Sequence, residues 1–138
     1  MSFVCPECWG PECWGPECST IPGSLQIRAS IELPPDIRSD EITLQVVSCS
    51  HCRFQAVAVY EESRRGRLEE ESFDHTGYRV RKEDVTALRR LIGQCPAPRK
   101  SSCSCAAHRV LGQRDGGGRW NGLRQFDWEG VFPMRIQR

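Results

Sequence analysis

No stretch of this chain approaches the roughly 20 consecutive apolar residues that a helix needs to cross a bilayer. An export signal is missing as well: Met1-Ser2-Phe3-Val4 has no basic start and runs straight into Cys5. These absences predict a cytoplasmic protein in a reducing compartment, where disulfide frameworks are disfavoured. Apolar residues are scarce at 38%, and aromatics make up 8%, so the oily core is thin for 138 residues. Net charge is nearly absent at +1, which excludes a global pull towards polyanions. No histidine is followed two residues later by glutamate, which excludes the zinc-deaminase signature. Gly116-Gly117-Gly118 leads to no Gly-Lys-Ser/Thr, which excludes a phosphate loop. No catalytic residue is assigned and no small-molecule substrate is inferred.

Cysteine is what the chain has in quantity. Nine is an odd number, so complete pairing within one chain is impossible. Cys5-Pro-Glu-Cys8 and Cys49-Ser-His-Cys52 are two C-x2-C pairs. Each such turn aims two thiolates at one point, and two of them complete a tetrahedral shell for Zn2+. A second set reads Cys95, Cys103, Cys105 and His108, with Cys105 and His108 at claw spacing. Metal held this way supplies folding free energy directly, which a thin core needs. A five-residue repeat, Cys8-Trp-Gly-Pro-Glu then Cys13-Trp-Gly-Pro-Glu and Cys18, leaves open whether Cys8, Cys13 or Cys18 partners Cys5. His51, inside the second turn, and His75 are alternative ligands. Four thiolates also suit iron, so Zn2+ has Fe as its alternative.

Strict alternation of Leu25, Ile27, Ala29, Ile31 and Leu33 with polar residues predicts a half-buried strand. Ile42, Leu44 and Val46, and then Phe54, Ala56, Ala58 and Tyr60, predict two more in an antiparallel meander. Residues 61–74 are densely charged and read as a solvated loop, and residues 75–78 as a turn. Residues 82–94 form the one good helix, with Val85, Leu88, Leu91 and Ile92 on one face. Glu83 and Asp84 fall in its first turn, and Arg89 and Arg90 are placed in its last.

The charge is uneven. Residues 1–98 carry 11 Lys and Arg against 15 Asp and Glu, a net −4; residues 99–138 carry 8 against 3, a net +5. The C-terminal stretch interleaves Arg119, Trp120, Arg124, Phe126, Trp128 and Arg135. Such a mixture suits a protein interface or a nucleic-acid surface. It also suits a strand that docks on the sheet.

The order of knuckle, hairpin, knuckle and strand over residues 5–60 resembles a zinc ribbon. The resemblance implies that Cys5, Cys8, Cys49 and Cys52 are structural ligands. The expectation is an α+β fold: a three- or four-stranded antiparallel sheet with one helix, stapled by metal. Residues 1–108 form the zinc-binding domain, with the second cluster at 81–108, and 109–138 a basic, aromatic segment. The expected role is non-catalytic: a binding or scaffold subunit in a larger intracellular assembly, with a protein partner. A rubredoxin-like iron protein for electron transfer and a nucleic-acid-binding ribbon are the alternatives.

Overall fold

The structure is a computed structural model that describes residues 2–7, 24–63 and 72–135. Six antiparallel strands lie side by side in chain order. They are β1 (Ser2–Phe3), β2 (Leu25–Leu33), β3 (Glu41–Cys49), β4 (Gln55–Ser63), β5 (Ser72–Val80) and β6 (Trp128–Pro133). Helices α1 (Lys82–Gln94) and α2 (Ala106–Leu111) and a 3-10 turn (Gly122–Gln125) fill the connection from β5 to β6. The fold is therefore α+β with an antiparallel sheet. No helix among the described residues is long and apolar enough to cross a membrane.

Both faces of the sheet are covered. Ile42, Leu44 and Val46 of β3 and Val57 and Val59 of β4 meet Val85, Leu88 and Ile92 of α1 and Leu111 of α2. The intervening residues, Val47, Cys49, Ala56 and Ala58, pack on the opposite face with Phe3, Cys5, Leu25, Phe132 and Met134. That second layer comes from the two edges of the sheet, which come together at one end. Val4 N–H donates to the Arg135 carbonyl at 2.8 Å, and the Phe3 ring stands edge-on to His75 of β5 at 5.1 Å.

Strand β2 changes face partway. Its register against β3 slips between Ile27 and Ala29, leaving Arg28 as an extra residue. A bulge of this kind reverses which side later residues point to. Leu25 accordingly joins the Phe3 layer, whereas Ile31 and Leu33 join the helix layer. The period-two stripe of the sequence is one strand serving two cores.

Several expectations need correction. The sheet has five strands of six to nine residues and a two-residue edge strand, not three or four strands. A second helix follows the first. The 61–74 loop and 75–78 turn do not hold where the chain is described: β4 runs on to Ser63, and Ser72–Val80 is a strand laddered to β4 and to β6. Its charge density hid an alternation, in which Tyr78 and Val80 face the helix layer. Arg89 and Arg90 lie one turn before the last, which carries no basic residue, and α1 ends at Cys95.

Candidate metal centres

The second cluster is built by two helix ends. Cys95 is the C-cap of α1, its N–H donating to the Ile92 carbonyl at 3.1 Å. Cys105 is the N-cap of α2, its sulfur accepting the His108 N–H at 3.4 Å. A residue three places after an N-cap lies over it on the first turn. His108 therefore brings Nδ1 to 3.2 Å from Cys105 Sγ and 3.3 Å from Cys95 Sγ. Cys103 Sγ stands 3.9 Å from Cys95 Sγ. Sulfurs about 2.3 Å from a tetrahedral ion stand about 3.8 Å apart, whereas a disulfide needs about 2.05 Å. All four donor atoms lie within 4.8 Å of one another, so the group is able to hold a metal ion.

The far nitrogen of His108 lies 2.8 Å from the Glu32 carbonyl of β2. As an N–H donor there it leaves Nδ1 unprotonated and free to ligate, the arrangement that orients metal-binding imidazoles. The thiols titrate apart. The His108 N–H, ahead of its imidazole, draws Cys105 down to about 6. Burial pushes Cys95 up to about 11. A cation among them removes that conflict by favouring every thiolate at once.

The first cluster lies at the other end of β2. Cys5 enters from β1, and Cys49 and Cys52 frame the turn from β3 to β4, which the Cys49 N–H closes on the Phe54 carbonyl at 2.9 Å. Cys5 and Cys52 sulfurs stand 3.7 Å apart, and all three sulfurs lie within 4.8 Å. The turn points N–H groups at sulfur: His51 and Cys52 to Cys49 at 3.3 and 3.2 Å, and Phe54 to Cys52 at 3.4 Å. Ser24 Oγ is 3.1 Å from Cys49 Sγ. Burial resists ionisation of Cys49, but the Ser24, Cys52 and His51 hydrogen bonds bring it down to about 6. Cys8, Cys13 and Cys18 lie outside the described residues.

Neither cluster includes the alternative histidines. His51 lends its backbone N–H and leaves its exposed side chain outside. His75 faces Gln45, Nε2 to Oε1 at 2.7 Å, between the rings of Phe3 and Tyr60.

The C-terminal candidates divide. Phe126 is buried in the helix layer, and Trp120 packs against that layer with its indole N–H on the Leu111 carbonyl at 2.7 Å. Both serve the core, which corrects their reading as contact residues. Arg119, Arg124, Trp128 and Arg135 are exposed. Trp128 and Val131, 48% and 56% exposed, flank Tyr78 along β6, the last strand of the sheet among the described residues. Sequence reasoning missed the supporting groups, Ser24 and the Glu32 carbonyl. A serine and a backbone oxygen carry no ligand pattern, so nothing in the sequence signals them.

No family model matches the chain, and neither a curated protein nor a solved structure matches it.

Proposed function

We propose that zinc fills both clusters and that the chain is a non-catalytic, metal-stapled binding module of a larger assembly in a reducing compartment. The observation that carries this reading is the closure of the Cys95, Cys103, Cys105 and His108 group, whose four donors converge within 4.8 Å. A tetrahedral ion held by four protein ligands keeps no position for substrate, which is the mark of a structural site. In the first cluster we assign the fourth thiolate to Cys8, from its two-residue spacing to Cys5. The likeness to a zinc ribbon is confined to residues 5–60, because β5, β6 and two helices lie beyond it.

The contact surface we assign is the outer edge of β6. An edge strand that pairs on one side only among the described residues, and that bears an exposed tryptophan and valine, is suited to a partner that adds a strand or an apolar side chain. Removing residues 119–138 would not test this, since Trp120, Phe126 and Phe132 belong to the cores. A Trp128→Ser, Val131→Ser double variant does, and it is expected to retain metal and lose the partner.

Metal analysis of the purified chain by native mass spectrometry tests the metal reading. Two zinc ions per chain and a colourless solution are expected. Bound iron with visible absorption would replace the reading by an electron-transfer one. A metal-free folded chain would sink both.

A further inference from the structure

Between Asp84 and Asp115 the chain has no acidic residue, yet it carries Arg89, Arg90, Arg99, Lys100, Arg109 and Arg114. The fold places this stretch on the two helices and on the loops that follow them. Arg89 and Arg90 lie on the outer side of α1, within six residues of its cap Cys95. Arg99 and Lys100 sit on the loop between Cys95 and Cys103, and Arg109 follows His108 on α2. That loop is pinned to the sheet by the Pro98 carbonyl, which accepts the Glu32 N–H at 2.7 Å, and is tightened by the Lys100 and Cys103 N–H bonds. All six cations are exposed. Among the described residues none of Arg89, Arg90, Arg99, Lys100 and Arg109 has a carboxylate partner.

Charge arithmetic separates this patch from the other cations near a cluster. Arg53, Arg79 and Lys82 line a cavity of about 650 Å³ beside Cys49 and Cys52, where Glu129 also lies and Glu7 pairs with Arg79. Two carboxylates and the thiolates already answer them. Around the second cluster, three thiolates and a divalent ion would sum to −1 against five cations that have no carboxylate partner among the described residues. Glu83 lies along one groove of α1 with Arg90 and offsets one further charge, and a positive excess remains. The acidic residues Glu32, Asp40, Glu41 and Glu62 line a cleft of about 200 Å³ that Ser101 of this loop also borders. The positive surface therefore ends at Ser101 on that side of the loop.

We propose that this surface, α1 with the 96–104 loop and α2, binds the phosphodiester backbone of a nucleic acid. Arginine presents forked N–H donors that match phosphate oxygens, and the exposed hydroxyls of Ser102 and Ser104 on the same loop add the type of contact that positions a backbone. No aromatic residue lies between Asp84 and Asp115. The surface therefore grips phosphates and does not stack bases, and it favours duplex over single strand. The assignment goes beyond the scaffold reading and does not depend on which metal fills the cluster.

Fluorescence anisotropy of the full chain with a fluorescein-labelled 20-base-pair DNA duplex, a matching RNA duplex and a single strand tests it. Binding of either duplex at 50 mM salt is expected, and the two arms show which nucleic acid is preferred. Log affinity should fall with log salt at a slope of about −4, for four to five phosphates neutralised. Arg89→Glu, Arg90→Glu, Arg99→Glu and Lys100→Glu combined should weaken binding at least about tenfold with metal content unchanged, while Trp128→Ser leaves it intact. No duplex binding at 50 mM salt overturns the proposal. So does equal affinity of the charge-reversed chain, or binding only to vesicles containing phosphatidylserine.

Discussion

Gly77 shows how much one missing methyl group decides. A Cβ there would run into the ring of Phe132, which lies directly over the glycine from β6. An aromatic ring from a neighbouring strand packing over a glycine is a recurrent device of sheets. Phe132 in turn meets Phe54 at 5.6 Å and carries the Arg79 guanidinium at 5.7 Å. Gly77→Ala is expected to cost about 1–3 kcal/mol by overpacking, read by urea denaturation, and to lower the near-ultraviolet circular dichroism. His75 gives a pH signature. Burial holds its imidazole below the usual 6.5, so folding favours the neutral ring. Its contribution to stability is present above 6.5 and declines as pH falls through that value, because the unfolded chain takes up the proton more readily. An imidazole NMR titration midpoint below 6.5 is expected, and His75→Asn should flatten the fall in stability between pH 7 and 5 relative to the parent chain. At this scale the convergence of Cys49 and Cys52 with Cys5, and of Cys95, Cys103 and Cys105 with His108, was legible, since thiol spacing is written in the sequence. The fates of Trp120 and Phe126 were not, because an aromatic in a basic segment reads alike whether it faces core or solvent.

Among the elements, α1 was legible because its 3.6-residue apolar period needs no partner to be seen. Leu88 is fully buried at its centre, and Leu88→Ala is expected to lower unfolding free energy by about 2–5 kcal/mol, measured as a shift in denaturant midpoint. Strand β5 was hidden because its register is set by β4 and β6, not by its own composition. The loop from β2 to β3 was equally opaque. It is held by Asp36, whose Oδ1 accepts the Arg38 and Ser39 N–H groups at 2.8 and 2.6 Å and whose Oδ2 accepts the Trp120 N–H at 2.7 Å. Burial opposes the charge, yet these bonds and the nearby Arg114 hold the carboxyl below its usual 3.8. A depressed folded value gives stability that is present above 3.8 and lost as pH falls through the lower one. Asp36→Asn should cost about 1–3 kcal/mol at pH 7, by leaving a buried N–H poorly met, and should lose most of that difference at low pH.

Across the whole molecule the two clusters are separate groups, each able to hold an ion. Leu25 packs with one and the Glu32 carbonyl holds the other, so about 23 Å of strand lies between them at about 3.3 Å per residue. Sites so far apart, with no shared ligand, act additively. If zinc fills both clusters as proposed, His108→Ala is expected to reduce metal stoichiometry from two to one while the Cys49 and Cys52 cluster keeps its ion, as native mass spectrometry would show. The extra residue at Arg28 gives that strand a further property. Replacing its side chain with alanine should be nearly silent, since among the described residues the exposed guanidinium reaches Ser48 alone. Excising the residue is expected to be mild as well: Ala29 would then follow Ile27 directly, and plain alternation would hold Leu25 and Ile31 on their two faces without a bulge. One residue of length is thus in excess at that point, whereas the loss of a second would turn either Leu25 or Ile31 out to water.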